Sequence, residues 1–486
     1  MGKHPTYRGS WTTESHGQAS EENHGLAKQC FATFVVSLTA LNSGIATGWI
    51  KPRSLPLAAG ANLAGRFYSL DVTYDIKEMA CPAVLSAILL GLVANFCGRK
   101  PALYLTLAIN ILGVAISGNL YDAFSNWLVT ASWSCAIFSG LVIGPVLLSE
   151  IAHKSVRGTL ITFCFLQFNL GLVISNSYFH FILNSIDAIY LFVLALQLLL
   201  LTFIPESPFF LVSKSKITEA EESLFWCRGS NRLVAKDEVE TLLKSSLSFQ
   251  NQDLIGIIKS RPASKALIIS FGLVFFQRMT GLLVFLFYSD EIVRNAGNFL
   301  GYRDAALVFG GIQLAISIVG MWCVDSIGRK SLLFISFGGS CLSLSVLSSF
   351  LALRIVYPIL GKLSWIPLAC MFVFTASHSA GAPLSSIIPN EVSPVKIKGL
   401  MASINGICTS IFVLLEIGIV LLVKQLMGNY SFLHFLIPAV LSGIALIFTR
   451  STIPETKGKS LMKCSDEMIS ENDDHRKLLE HSINYF

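Results

Sequence analysis

The sequence predicts an all-α membrane protein with about twelve transmembrane helices arranged in two pseudo-symmetric six-helix bundles. Hydrophobic residues make up 53% of the 486-residue chain and charged residues only 14%, whereas soluble domains are about a quarter charged. Apolar stretches of roughly 20 residues, long enough to cross a bilayer, recur along the chain. Charged motifs at their edges occur twice in the same order, which indicates an internal repeat.

The apolar stretches form two groups separated by a polar segment. They are predicted to span the membrane at 30–50, 79–96, 101–118, 127–149, 158–181, 187–204, 264–288, 303–324, 331–352, 365–389, 399–423 and 432–450. The first group defines an N-terminal bundle at 28–204, and the second defines a C-terminal bundle at 263–450.

Three polar segments flank the bundles. Residues 1–27 predict a disordered tail, because they are polar throughout. Residues 205–262 alternate charge at helical spacing, which predicts a linker of short amphipathic helices outside the membrane, and 451–486 form a charged tail. The loops that carry clustered Lys and Arg lie at 97–100, 153–157, 329–330 and 396–398. The positive-inside rule places these loops, the linker and both termini in the cytosol.

Charge and cysteine usage exclude several classes of protein. The net charge of +6 is mild and dispersed, which argues against nucleic-acid binding. The 11 cysteines include no C-x-x-C pair, so neither a disulfide framework nor a zinc site is predicted. A nucleophile–base set, a metal cluster and a cofactor motif are all absent from the sequence, so we expect no enzyme activity and no cofactor.

Three charged motifs repeat between the halves. The first copies are Gly98-Arg99-Lys100, Glu150-x6-Arg157-Gly158 and Pro205-Glu206-Ser207. The second copies are Gly328-Arg329-Lys330, Glu391-x6-Lys398-Gly399 and Pro454-Glu455-Thr456. Basic and acidic side chains at helix ends can pair there, and such pairs are stronger at a low-dielectric boundary than in water. An alternative is that the charges only anchor helix ends at lipid headgroups.

At these motifs the chain resembles the sugar porter family of the major facilitator superfamily over residues 30–462, most of all its arthropod facilitated trehalose and hexose transporters. The segments that begin at Pro205 and Pro454 are the most specific marks. The resemblance implies a latch that holds the two bundles together in the outward-facing state. Carried over to this chain, the latch comprises Gly91, Asn95, Gly98, Arg99, Lys100, Glu150, Arg157, Glu206, Asp325, Gly328, Arg329, Lys330, Glu391, Lys398 and Glu455.

The latch departs from the family pattern in two places. The family motif after the second helix carries an Asp-Arg pair, where this chain has Asn95 and Phe96, although the second copy keeps Asp325. The first-half latch therefore lacks a carboxylate, and we expect its outward-facing state to be less favoured. Lys398 replaces an arginine, which removes the possibility of a bidentate ion pair.

The resemblance also implies a sugar site at mid-membrane, formed by the fifth, seventh, tenth and eleventh transmembrane helices. Buried sugar hydroxyls need hydrogen-bond partners, which amide and hydroxyl side chains provide. In this chain the candidate residues are Gln167, Asn169, Gln277, Arg278, Thr280, Tyr288, Ser386 and Thr409, of which Gln167 and Asn169 lie beside the family's position in the fifth helix. Three of them differ from the family: Arg278 replaces a glutamine, Ser386 a tryptophan and Thr409 an asparagine.

Arg278 and Glu416 are ionisable residues inside predicted membrane spans. A lone charge at the bilayer centre costs about 2.5–3.5 kcal/mol on insertion scales, so we expect the two to pair across the C-terminal bundle. Three roles remain open: a structural clasp, a site for a charged or zwitterionic solute, or a proton carrier at Glu416.

The resemblance implies a facilitative sugar transporter for trehalose or a hexose. Proton-coupled sugar porters carry an aspartate in the first helix, whereas the segment 42–49 of this chain has no carboxylate, which favours uniport. Two alternatives stay open: a transporter of a charged or less hydroxylated solute, and a non-transporting sugar sensor. We expect a monomer in the plasma membrane, whose partners are the small-molecule solute and the lipid bilayer.

Overall fold

A computed structural model describes residues 11–53, 71–117, 123–181, 186–229, 231–247, 256, 260–282, 284–285, 292, 302–357, 363, 365–394, 397–427 and 432–459. These residues form helices joined by short connections, and they contain no β-strand. The N-terminal half consists of α1 (Trp11–Arg53), α2 (Asp71–Phe96), α3 (Arg99–Ser117), α4 (Ala123–Phe138), α5 (Gly144–Ile151), α6 (Arg157–Phe181) and α7 (Ile186–Leu201).

The second part of the chain begins with three helices of the linker, α8 (Pro208–Ser213), α9 (Ile217–Cys227) and α10 (Arg232–Leu247). The C-terminal half consists of α11 (Arg261–Met279), α12 (Tyr302–Ser326), α13 (Arg329–Val356), α14 (Trp365–Gly381), α15 (Leu384–Val392), α16 (Lys398–Met427) and α17 (Leu433–Thr452). Each predicted membrane span contains at least one of these helices, which confirms the all-α prediction. Among the described residues, eight helices are long and apolar enough to cross a bilayer by length and composition.

At least two of the predicted spans are not single α-helices within the described residues. A π-helical turn, Ser139–Ile143, joins α4 to α5. It occurs where α1 approaches closely, since a Cβ on Gly140 would overlap the Ser43 hydroxyl and lie 2.7 Å from the Thr39 carbonyl oxygen. The tenth span divides into α14 and α15 at Pro383, because proline cannot donate a backbone hydrogen bond to the preceding turn.

The two halves meet along two pairs of helices. α6 packs along α12, and α2 packs along α16. One apolar core continues across the halves and includes Leu90, Leu147, Leu273, Phe337 and Ile387, all fully buried. The repeat in the sequence is therefore expressed as two packed bundles with matching helix pairs at their boundary.

The first helix reaches beyond its predicted span. α1 begins at Trp11, inside the segment 1–27 that the composition predicts to be disordered. Further along, Gln29 donates from Nε2 to the Cys227 carbonyl of the linker at 3.0 Å and accepts from the His153 N–H between α5 and α6 at 2.8 Å. α1 is therefore bonded both to the linker and to the N-terminal bundle.

Candidate functional site

The repeated charged motifs lie together at one end of the two bundles, which we call the charged end. In the N-terminal half, the Glu206 carboxylate accepts hydrogen bonds from the backbone N–H groups of Arg99 at 3.2 Å and Lys100 at 3.0 Å. These N–H groups begin α3, where a carboxylate satisfies unpaired donors and interacts favourably with the helix dipole. Burial raises the pKa of the Glu206 carboxyl, while the backbone donors and Arg99 act in the opposite direction.

The C-terminal half repeats this arrangement. Glu455 accepts from the backbone N–H groups of Arg329 and Lys330, both at 3.1 Å, at the start of α13. The sequence predicted that Glu206 and Glu455 pair with basic side chains as part of the latch. Their hydrogen bonds to backbone N–H groups add a role that the sequence analysis did not assign, because each carboxylate caps a helix within its own half.

Glycine is required beside both caps. Gly98 has φ +120° and Gly328 has φ +106°, a backbone region that only glycine adopts readily. A Cβ on Gly98 would also overlap the Glu206 carboxylate. We therefore expect Gly98→Ala to lower the free energy of unfolding by about 2 kcal/mol or more, measured as thermal stability in detergent.

Gly311 offers a matched control for this substitution. It lies in α12, and a Cβ added there would meet no atom within 4 Å. Gly311→Ala should change stability by less than about 1 kcal/mol, because alanine is tolerated wherever a helix has space for it. Equal losses from both variants would contradict the requirement for glycine at the cap.

Inside the caps lies the charged cluster, which we define as Arg99, Glu150, Arg157, Asp325, Arg329, Glu391 and Lys398. Arg99 pairs with Glu150 at 3.0 Å, and Arg329 pairs with Glu391 at 3.2 Å. These four side chains are at most 5% exposed, so their interactions are screened much less than those of surface pairs. The corresponding pairs again repeat between the halves.

The charged cluster also joins the two halves directly. Arg157 of the N-terminal half lies 3.8 Å from Glu391 of the C-terminal half. Asp325 accepts two hydrogen bonds at 2.7 Å from Thr159 at the start of α6, one from its backbone N–H and one from its hydroxyl. Asp325 also pairs with Arg329 at 2.8 Å. On this side of the cluster, ion pairs and hydrogen bonds form a continuous network between the bundles.

The pseudo-symmetric side of the cluster is weaker. A Cβ on Gly399 would lie 2.9 Å from the Asn95 Oδ1 atom. Asn95 therefore lies at the start of α16 as Asp325 lies at the start of α6, but Asn95 carries no charge. Lys398 is 1% exposed, and its Nζ has no hydrogen-bond partner within the described part of the chain. The ammonium instead lies 5.2 Å from the centre of the Phe209 ring.

Further contacts close the space between the bundles near the charged end. A cavity remains beneath the cluster, lined by Gly91, Arg99, Phe138, Gly399 and Ser403 among others. The helices approach closely beside it, because a Cβ on Gly91 would lie 2.6 Å from the Ser403 hydroxyl. The cavity is small, and the bundles are in contact at this end.

Two of the predicted sugar-binding residues form hydrogen bonds between the bundles. Asn169 donates to the Ser317 hydroxyl at 2.7 Å, and Ser386 donates to the Leu141 carbonyl at 3.2 Å. Both therefore lie on the boundary between the halves, as residues of a central path must. Their polar groups are engaged in holding the halves together in this conformation.

The other predicted sugar-binding residues are more dispersed. Gln277 Nε2 lies 3.2 Å from His378 Nε2, which brings α11 and α14 together through two buried polar side chains. Thr280 and Thr409 each donate to a carbonyl of their own helix at 2.8 Å. Gln167 is buried, and Tyr288 lies outside the described residues.

Arg278 and Glu416 lie within the C-terminal bundle. The rings of Phe275 on α11 and Phe412 on α16 pack edge to face at 5.2 Å. One turn further along, Arg278 comes within electrostatic reach of Glu416, which is 4% exposed. Glu416 and His434 also line a small cavity inside this bundle. Sequence analysis missed His434, because no motif links α17 to the pair.

The comparison with protein families agrees with the geometry. The family described as "Sugar (and other) transporter" matches residues 79–468. The chain belongs to the sugar porter family. The facilitated trehalose transporter Tret1 of Bombyx mori is 26% identical over 464 residues, covering 91% of this chain and 87% of that protein. The Tret1-2 homolog of Drosophila sechellia is 27% identical over 462 residues, covering 91% of each.

Solved structures confirm the major facilitator fold. The proton:xylose symporter XylE bound to 6-bromo-6-deoxy-D-glucose superposes with a TM-score of 0.75 at 19% identity, covering 92% of this chain and 99% of that one. The inward-open conformation of XylE from E. coli has a TM-score of 0.60, also at 19% identity, and covers 89% and 98% of the two chains.

Proposed function

We propose that this chain is a facilitative uniporter of trehalose or a hexose that works by alternating access in the plasma membrane. The observation that carries the proposal is the charged cluster, which joins two repeated bundles in a sugar porter and can separate only if the bundles move apart. The names of the curated relatives support a sugar as the solute. With the charged end in the cytosol, contact between the bundles at that end corresponds to a conformation closed to the cytosol.

In this mechanism, the charged cluster and the solute path between the bundles have different roles. Solute enters between the bundles from the outside and replaces hydrogen bonds that the polar side chains make with each other, such as the one between Gln277 and His378. Each buried sugar hydroxyl must regain a partner, so amide groups on the path favour a polyol. Release follows when the cluster separates, which also breaks the bonds of Asn169 and Ser386.

The first helix supports uniport rather than proton coupling. At its centre Asn42 donates from Nδ2 to Gln197 Oε1 at 2.8 Å, and both side chains are buried within the N-terminal bundle. An amide pair of this kind does not change protonation, so it offers no proton to couple to transport. The Arg278–Glu416 pair lies inside the C-terminal bundle, which favours a structural clasp over a site for a charged solute.

Uptake of labelled sugar tests the proposal. The chain would be expressed in cells that lack hexose transport, and uptake of radiolabelled glucose and trehalose would be measured. We expect saturable uptake of at least one of them, independent of an imposed proton gradient. Gln277→Ala should lower the uptake efficiency about tenfold, because one buried hydrogen bond to the solute is lost.

Gln277→Asn is the conservative control, since it keeps the amide. Surface labelling of each variant separates loss of transport from loss of expression. Absence of uptake by a chain that reaches the surface would contradict the sugar proposal, and gradient-driven accumulation would contradict uniport.

A further inference from the structure

Two consecutive phenylalanines at the start of α8 each contact a cation of the charged cluster. The Arg99 guanidinium lies 5.2 Å from the centre of the Phe210 ring, and the Lys398 ammonium lies 5.2 Å from the centre of the Phe209 ring. Arg99 belongs to the N-terminal half and Lys398 to the C-terminal half. A single short helix of the linker therefore contacts cations from both bundles.

Lys398 depends on this contact more than Arg99 does. Its pseudo-symmetric counterpart Arg157 reaches Glu391 across the boundary at 3.8 Å. Lys398 lies within electrostatic reach of Glu150, and each is 1% exposed, but the two form no ion pair within 4 Å in the described structure. A compact ammonium cannot bridge two groups as a guanidinium fork does, whereas a desolvated aromatic face attracts it strongly.

The aromatic pair occurs on one side of the repeat only. Counted from Pro205 and Pro454, the positions of Phe209 and Phe210 correspond to Gly458 and Lys459 in the second half. The rings thus lie on the side where Asn95 and Lys398 have weakened the ionic contact. The aromatic rings thus occur where the ionic contact is weakened, and they offer a cation a different kind of attraction.

α8 is fixed to the N-terminal half. Glu206, two residues before the helix, accepts from the backbone N–H groups of Arg99 at 3.2 Å and Lys100 at 3.0 Å, and a Cβ on Gly98 would lie 3.1 Å from the Phe210 ring. Phe210 also packs in the apolar cluster of the linker. Phe209 must therefore stay with the N-terminal half when α16, which carries Lys398, moves away.

We propose that Phe209 is a positioning residue of the transport cycle, whose ring holds Lys398 in the closed conformation and replaces the ion pair that joins the bundles on the other side. The proposal rests on the proposed function only in requiring that the charged end opens. Each opening separates Lys398 from the ring, so loss of the ring shifts the equilibrium toward the conformation open at the charged end.

Cysteine accessibility measures this equilibrium without any solute. A Ser403→Cys reporter in the full-length chain lines the cavity beneath the charged cluster. Inside-out vesicles are treated with an impermeant maleimide, and modification at position 403 is resolved by peptide mass spectrometry. Cys30 and Cys97 are exposed and serve as internal standards. We expect Phe209→Leu to raise the modification rate about tenfold, because a partly desolvated cation–π contact is lost.

Three further variants make the result specific. Phe225→Leu removes a ring of the same linker that contacts Arg232 at 5.4 Å, away from the cluster, and should leave the rate unchanged. Phe209→Tyr keeps the aromatic face and should also match the parent. Lys398→Arg, added to Phe209→Leu, should restore slow modification, because a guanidinium can reach Glu150 as Arg157 reaches Glu391.

The outcomes separate this proposal from the assignment of the solute. A rate for Phe209→Leu equal to that for Phe225→Leu would overturn it, and so would failure of Lys398→Arg to restore closure. Since no sugar is present, a chain that transports neither glucose nor trehalose still gives a decisive result. A tenfold rise that Lys398→Arg reverses supports the proposal whatever the solute is.

Discussion

Neutralising either partner of the Arg278–Glu416 pair is expected to destabilise the folded chain by about 3 kcal/mol. Arg278→Leu removes a nearby positive charge from the Glu416 carboxylate, which is 4% exposed inside the C-terminal bundle, and Glu416→Leu removes the negative charge that favours the guanidinium. The double variant with leucine at both positions should recover most of the loss, because apolar groups need no compensation in a bilayer. The measurement is thermal stability of purified protein in detergent.

A charge reversal and a surface control complete the test. Exchanging the two residues, by Arg278→Glu with Glu416→Arg, should be more stable than either single change. The exposed pair Lys216–Glu219, at 2.8 Å with both side chains about half exposed, is the matched control. Glu219→Gln should change stability by less than about 1 kcal/mol, since surface pairs contribute little. A double variant no better than either single variant would refute the pairing.

The repeat explains why much of the fold could be predicted from sequence. Hydropathy places spans along the chain, and repeated charges align the halves, so the bundles and the residues of the cluster follow from patterns in one dimension. The pairs Arg99–Glu150 and Arg329–Glu391 join residues of the repeated motifs, so the sequence nearly predicts them as well. The sequence analysis did not predict that the carboxylates of Glu206 and Glu455 cap helices.

The interactions within the path were less predictable, because they depend on how each helix is rotated about its axis. Asn169 and Ser386 were assigned to a sugar, yet each bonds to the opposite bundle in the closed conformation. Gln277 meets His378, and His434 shares a cavity with Glu416, although the residues of each pair are far apart in sequence. A hydrophobic pattern does not specify which polar residue of one span faces which residue of another.

Asp325→Asn is expected to open the charged end, and Asn95→Asp is expected to hold it closed. Asp325 accepts two hydrogen bonds from Thr159 at 2.7 Å and pairs with Arg329 at 2.8 Å, so losing its charge weakens the tie between the halves and leaves buried cations less compensated. Truncating one partner of such a buried pair costs about 2–5 kcal/mol. With the Ser403→Cys reporter, modification should become at least about tenfold faster.

Asn95→Asp acts on the side that lacks a carboxylate. The Asn95 Oδ1 atom already faces the start of α16 beside Gly399, where a negative charge interacts favourably with the helix dipole and with Arg99. The added charge should stabilise the closed conformation by about 1 kcal/mol, slow modification about fivefold and reduce uptake, because opening becomes less frequent. Since the carboxylate would repeat the role of Asp325, Asn95→Asp should partly restore closure to Asp325→Asn. Faster modification of the Asn95→Asp variant would mean that the two sides of the cluster are not equivalent, and that the asymmetry between Asn95 and Asp325 is required for closure.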